Sequence, residues 1–250
     1  MKRILYCTTL CLVLAGSSCK KIDNYAAPAE TLTGTVLDAG LGTGVQTEIG
    51  SGGTRVKLLE TSWSATPTPL YFVGKQDGTF NNTKVFAATY KVSVEGAFVP
   101  LVQTDASGAT TVDKSQTITL KGTANLTFNV EPFLRIDWVG NPVTNADGTV
   151  SVQFKVTRGT TQTAFLSDVT DIFLFISDTQ YDGNNNYDPR YSNQVTYAGT
   201  TGTALLGTTL TFTTKTALPK SQTYYLRVGA RTGYGLKQYN YNAPKAIAIP

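Results

Sequence analysis

The sequence predicts an all-β protein built of two β-sandwich domains in tandem, and three observations lead there. Apolar side chains recur at every second position in Thr54-Arg55-Val56-Lys57-Leu58-Leu59, Tyr90-Lys91-Val92-Ser93-Val94 and Gln116-Thr117-Ile118-Thr119-Leu120. That period sends one set of side chains inward and the other into water, the pattern of a half-buried antiparallel strand. Gln76-Asp77-Gly78-Thr79 and Ala146-Asp147-Gly148-Thr149 punctuate such runs with Asp-Gly, where glycine accepts the positive φ of a tight hairpin. No segment sustains a 3.6-residue apolar period between helix caps.

The chain opens with a different kind of segment. Lys2 and Arg3 precede a mainly apolar run from Ile4 to Ala15, then Gly16-Ser17-Ser18 and Cys19. This is a secretory signal over residues 1–18, too short for a comfortable permanent span. Small residues before a cysteine are what lipoprotein processing needs, so Cys19 is read as the lipidated first residue of the mature chain. Gly16 stands where the usual bacterial pattern has a larger aliphatic residue, and Ser-Ser-Cys followed by lysines resembles the relaxed lipoprotein signal of Bacteroidetes. Ordinary signal-peptidase cleavage, leaving a soluble periplasmic protein, is the alternative. Residues 19–30, with Pro28 and no apolar periodicity, read as a tether.

Composition narrows the function. All three cysteines, Cys7, Cys11 and Cys19, fall within the first 19 residues, so no disulfide is expected in the folded part. The formal charge of +4 falls to +2 once Lys2 and Arg3 are removed, too little for a nucleic-acid surface. There is no histidine, which excludes imidazole bases, serine triads and the common zinc sites. Two carboxylates alone would serve a glycosidase. Nothing in their spacing marks a pair, however, and Asp77, Asp147 and Asp182 stand in turn contexts. A non-enzymatic protein without cofactor or metal is expected. Asp38-Ala39-Gly40-Leu41-Gly42-Thr43-Gly44 lacks the third glycine of a dinucleotide fingerprint and no helix follows, so it reads as an inter-strand loop.

Proline at Asn129-Val130-Glu131-Pro132 suits a strand terminus, placing the domains at 31–131 and 132–250. The second domain offers seven strand candidates, at 133–139, 149–157, 171–177, 193–198, 208–214, 223–231 and 244–249, the count of an immunoglobulin-like sandwich. LPKSQTYYLRVGART, residues 218–232, resembles the end of a fibronectin type III domain. In that resemblance Leu218, Tyr224, Arg227 and Val228 match the pattern, and Tyr224 is the corner tyrosine, its ring in the core and its hydroxyl returning to upstream backbone. TLTGTVLD through QDGTFNNTKVFAATYKVSVEG resembles the transthyretin-like or carboxypeptidase-regulatory β-sandwich, whose motifs are packing motifs.

The candidate site is YDGNNNYDPRYS, residues 181–192. Asp182, Asn184, Asn186 and Asp188 alternate as in the start of a calcium loop, but Tyr187 stands where an EF-type loop needs glycine and Asn193 where it needs a bidentate glutamate. Carbohydrate binding fits better: Tyr181, Tyr187 and Tyr191 offer ring faces to a sugar, and Asn184, Asn186, Asp188 and Arg190 offer planar hydrogen-bonding groups. A self-packed loop covering the end of the sandwich is the plainer alternative. In the fibronectin order, 178–192 and 233–243 lie at opposite poles, so Tyr181–Tyr191 is expected far from the lipid, with Tyr234, Tyr239 and Tyr241 facing the first domain.

The segments CKKIDNYAAPAETLTGTV, QDGTFNNTKVFAATYKVSVEGAFVP, NVEPFLRI and TYYLRVGARTGY together resemble an uncharacterised lipoprotein family of Bacteroidetes. Its members are typically encoded beside outer-membrane transporter and surface glycan-binding pairs of the starch-utilisation type. The resemblance implies an accessory lipoprotein for polysaccharide capture or uptake, anchored in the outer membrane at the cell surface. A glycan, the transporter and its glycan-binding lipoprotein are the implied partners. The alternative is a structural subunit of the transporter complex that touches no sugar. The family assigns no binding residues.

Overall fold

The computed structural model describes residues 26–250, so the signal segment and Cys19 lie outside the described residues. The first sandwich comprises β1 (Glu30–Asp38), β2 (Arg55–Glu60), β3 (Leu70–Val73), β4 (Thr79–Val85), β5 (Ala88–Glu95), β6 (Val102–Thr104), β7 (Thr110–Asp113), β8 (Gln116–Leu120) and β9 (Thr123–Val130). One sheet runs β4-β1-β9 and the other β3-β2-β5-β8, with β6–β7 a separate hairpin. Alternate residues of the two sheets meet: Leu32, Val36, Phe80 and Phe128 from the first pack on Val56, Tyr90, Val92 and Leu120 from the second. The Asp77 carboxylate accepts from the Thr79 N–H at 3.0 Å while Gly78 takes φ +83°, which closes the turn before β4.

β1 and β9 run parallel, and Gly34 of β1 stands opposite Leu126 on β9 and Phe80 on β4. A Cβ there would lie 2.1 Å from the Leu126 carbonyl oxygen and 2.4 Å from the Phe80 ring. The missing side chain is what lets Phe80 lie across β1.

The second sandwich comprises β10 (Leu134–Trp138), β11 (Val143–Thr144), β12 (Val150–Arg158), β13 (Val169–Ser177), β14 (Asn193–Thr196), β15 (Thr209–Thr213), β16 (Gln222–Thr232), β17 (Asn240–Tyr241) and β18 (Lys245–Ile249). β10 and β15 flank β12 in one sheet, with β11 on the end of β12. The other sheet is β14-β13-β16, to which β17 and β18 both add on β16. With the short β11 taken as an extension beside β12 and with β17 and β18 sharing one edge of β16, three strand positions face four, the fibronectin type III arrangement. Val150, Val152, Phe154 and Val156 of β12 face Leu174, Ile176, Leu226 and Val228 across the core.

The outer face of the β13–β16 sheet departs from simple alternation. β13 reads VTDIFLFIS and all but one of its nine residues are buried, so both faces are covered. Phe173, Phe175, Tyr239 and Tyr241 form a separate apolar cluster on the outer face, with Tyr187 packed against it. Segments 178–192 and 233–243 both fold back over this aromatic surface, and so does the Val45–Gly50 loop of the first domain. That overturns the expected opposite-pole placement: the 178–192 segment meets the first domain at Gly183 and Asn185 instead of pointing away from it. Tyr241 also meets it. Tyr234, stacked on Phe133 and Phe165 at 5.1 and 5.2 Å, also lines the cleft against the first domain, whereas Tyr239 bonds Asp171 within its own domain.

Tyr224 is buried in the second core, its ring edge-on to Tyr191 at 5.9 Å. Among the described residues its hydroxyl makes no hydrogen bond to upstream backbone of the kind the corner reading requires, and the residue lines a surface groove.

Gly34→Ala is expected to destabilise the protein by about 2 kcal/mol or more, because the clash at Leu126 is with backbone that only a separation of β1 from β9 relieves. Urea denaturation measures it; an unchanged midpoint would contradict the packing described.

Candidate functional site

Arg227 organises the region where the two domains and the 181–192 segment meet. It lies on β16 opposite Phe175, on the covered outer face, and is fully buried. Its Nε donates to the Asn242 carbonyl at 2.8 Å, and its Nη1 to the carbonyls of Thr47 at 2.8 Å and Asp182 at 3.1 Å. One guanidinium thereby joins the first domain, the 181–192 segment and the segment after β17. Its plane stacks on Tyr241, 4.3 Å from the ring centroid. None of the six ion pairs among the described residues includes Arg227. Carbonyl dipoles and the Tyr241 ring hold its charge, and burial depresses its pKa to about 10 against the nearby acidic groups of Asp182, Tyr241 and Glu48.

Glu48 answers from the first domain. Its carboxylate, also buried, accepts from the Asn185 N–H at 3.0 Å and bonds the Tyr241 hydroxyl. That hydroxyl in turn accepts from the Asn184 N–H at 3.1 Å. The Asn185 side chain donates to the Ile49 carbonyl at 2.8 Å. Burial raises the Glu48 pKa, against the bonds from Tyr241 and Asn185 and the charge of Arg227.

Asp182 is the least expected member. It has no solvent exposure, and neither carboxylate oxygen has a hydrogen-bond partner. Burial lifts its pKa to about 7, although the charge of Arg227 works to lower it. Arg227 Nη2 and Asn242 Nδ2 are buried without partners beside the same bonds. Asp182 therefore belongs to the domain junction and does not reach a ligand in solvent, which corrects its assignment as a binding residue.

Further bonds extend the junction. Arg135 grips Asp38 through two bonds of 2.6 and 2.7 Å, Gln238 donates to the Gly53 carbonyl at 3.1 Å, and Asn240 donates to the Ala97 carbonyl at 2.7 Å. Asp38 had read only as the start of a glycine-rich loop.

The remaining candidates separate into two groups. Tyr181 is half exposed but stands outside the surface groove, and Asn184 points its backbone into the junction. Asn186, Tyr187, Asp188, Arg190 and Tyr191 line a groove of about 520 Å³ together with Asp178, Gln222 and Tyr224. Tyr187 rests half-buried on Phe173 and Phe175, with centroids 5.0 and 5.6 Å away. Arg190 chelates Asp188 at 2.6 Å and lies 5.0 Å over the Tyr191 ring. Tyr191 itself is buried in the second core and supplies the groove with a floor, not an open face. Asn186 donates to Thr179 Oγ1 at 3.0 Å. With Asp182 turned inward and Asp188 held by Arg190, the alternating oxygens of the segment do not converge on a cation. No cluster of three or more His, Cys, Asp or Glu side chains placed to hold a metal occurs among the described residues.

Two family descriptions match the chain: the DUF3823 N-terminal domain, a protein of unknown function, over residues 30–131, and the DUF3823 C-terminal domain, of unknown function, over 139–245. A DUF3823 protein of Bacteroides uniformis is similar at 34% identity and a TM-score of 0.83, over 89% of this chain and all of that one. The chain belongs to the DUF3823 family. A second Bacteroides uniformis structure, of a "putative carbohydrate binding protein", shares the fold at 22% identity and a TM-score of 0.68, again over 89% of this chain and all of that one. A Parabacteroides merdae DUF3823 protein does so at 19% and 0.65, with the same shares covered. No curated protein matches the chain. Neither family description nor these relatives indicate an enzyme family.

In this DUF3823 protein the pH dependence follows from Asp182. Its folded pKa, about 7, lies above the 3.8 of a free aspartate, so the fold favours the protonated form. The contribution is complete below pH 4 and is lost as pH rises through 7. The stability difference between wild type and Asp182→Asn is expected to change by on the order of 4 kcal/mol across that window and to level off above it. Thermal midpoints taken at intervals of pH measure it; two parallel curves would contradict the burial of Asp182.

Proposed function

We propose that this protein is a non-enzymatic accessory lipoprotein of a polysaccharide capture system, anchored through Cys19 in the outer membrane at the cell surface, and that it holds a glycan in the groove beside Tyr187. The groove itself carries the reading. An aromatic ring rests on a rigid aromatic base, flanked by an amide at Asn186, carboxylates at Asp178 and Asp188, and the guanidinium of Arg190. Sugars offer apolar ring faces and a rim of hydroxyls, and those hydroxyls take paired bonds from planar groups of this kind. The Asp188–Arg190 chelate fixes two of these groups before a ligand arrives, which lowers the ordering cost of binding. The Bacteroides uniformis relative named for carbohydrate binding supports the same class of ligand.

A second reading has its own observation. Between the domains lies a more apolar cleft of about 390 Å³, lined by Pro100, Leu101, Val102, Phe133, Tyr234 and Leu236. Leu236 stands 74% exposed at its lip. An apolar side chain held in water favours a protein partner, the role of a structural subunit in a transporter complex.

Affinity electrophoresis against a panel of polysaccharides tests the first reading, with Arg190→Ala and Tyr187→Ala alongside. Arg190→Ala leaves an exposed position and should fold normally, while retarded migration on the recognised glycan falls at least tenfold in both variants. Retardation that survives in both would move the site away from this groove. No retardation of the wild type on any glycan would favour the protein-partner reading.

A further inference from the structure

The β-sandwich strands give the first domain two unlike poles. One pole, with Asp38, Arg55 and Glu95, adjoins the second domain. At the other, Glu30 pairs with Val85, and the Thr31 N–H donates to the Gly122 carbonyl at 2.9 Å. The chain therefore enters the fold at the pole that holds the β4–β5 turn and the β8–β9 turn. The loop after β2 ends there too, since the Thr61 N–H donates to the Thr89 carbonyl at 2.9 Å and the Thr89 N–H to Ser62 Oγ at 2.8 Å.

This entry pole carries exposed large apolar side chains. Trp63, in the loop after β2, is 75% exposed, the most exposed large hydrophobic side chain among the described residues. Phe86, on the β4–β5 turn, and Leu70, at the start of β3, are exposed as well. Lys84, near the end of β4, and Lys121, on the β8–β9 turn, stand exposed at the same pole. Indole and phenyl rings flanked by lysines favour the boundary between lipid headgroups and acyl chains, where the ring loses water and the ammonium meets anionic lipid.

The chain outside the described residues fixes the distance. Six residues lie between Cys19 and Ala26, seven Cα–Cα steps with a reach of at most about 25 Å when fully extended. A lipid on Cys19 would therefore hold this pole within one short tether of the bilayer.

We infer that the pole formed by Trp63, Phe86, Leu70, Lys84 and Lys121 is a membrane-contacting surface that seats the first domain on the lipid headgroups and directs the second domain away from them. The inference rests on the lipoprotein reading of Cys19. The occupant is a phospholipid surface: rings and lysines sit where the anchor enters, and a bilayer is the one surface the anchor brings there in every copy.

Coupling separates the inference from that reading. Cys19 is the single cysteine of residues 19–250. That chain, joined through its thiol to a maleimide-bearing phosphatidylethanolamine in phosphatidylethanolamine–phosphatidylglycerol vesicles, is anchored whether or not a cell lipidates it. Tryptophan emission is then measured with lipids carrying bromine or nitroxide on the upper acyl chain. Trp63 and Trp138 are the two tryptophans, and Trp138 lies in the second domain. The expected result is quenching of about half the emission, abolished by Trp63→Phe and weakened by the Lys84→Glu, Lys121→Glu pair. Equal quenching in wild type and Trp63→Phe, or none in either, overturns the inference and makes the pole a docking face for protein. Metabolic labelling of the full chain with palmitate, with Cys19→Ala as control, tests the anchor separately.

Discussion

A buried guanidinium held by backbone carbonyls and in no ion pair is the constraint on which the rest of this structure turns. Taking Arg227 out of water costs several kcal/mol unless its donors are satisfied in place. Its acceptors are backbone carbonyls from three separate segments, Thr47, Asp182 and Asn242. None of these is near Arg227 in sequence, and each must be in position for the charge to be tolerated. The fold of the second domain, the course of the 181–192 segment and the seat of the first domain are thus tied to one side chain. Charge-assisted bonds of this type contribute about 1.5–3 kcal/mol each, and leaving the buried group unpaired would cost as much again.

The same constraint explains why the tyrosine- and asparagine-rich segment performs two jobs. Its first half supplies the Asp182 carbonyl to Arg227 and the Asn184 and Asn185 N–H groups to Tyr241 and Glu48. Its second half is thereby held against Phe173 and Phe175, which leaves Tyr187, Asp188 and Arg190 along a rigid groove. A loop pinned at one end by a buried charge and at the other by an aromatic base presents its polar groups in one arrangement. Preorganisation of that kind favours recognition of a ligand with many weak bonds to offer.

Much of the architecture was legible because strand alternation and Asp-Gly turns are local signals. Asp77 and Asp147 do in the structure what their neighbours in sequence implied, each closing a turn by accepting from a threonine two residues on. The junction was not legible in that way. Arg227 alternates with Leu226 and Val228 as any solvent-facing strand residue would, and Asp182 stands before glycine as any turn aspartate does. What buries them is a loop of the other domain some 180 positions away, which no local pattern encodes. One signal was present: Ile172-Phe173-Leu174-Phe175-Ile176 breaks alternation, and a strand apolar on both faces requires a cover on both. Read that way, the flanking tyrosine-rich segments become the cover, and their placement over the sheet follows.

Two sandwiches joined through buried polar groups behave as one thermodynamic unit only if those groups bind as tightly as the geometry implies. Differential scanning calorimetry of the intact chain at pH 6 tests this directly. The account predicts a single endotherm with calorimetric and van't Hoff enthalpies equal, because neither domain satisfies Arg227, Glu48 and Asp38 without the other. Two resolved transitions, or a calorimetric enthalpy well above the van't Hoff value, would mean that the domains unfold independently and that the Arg227 junction does not hold them together.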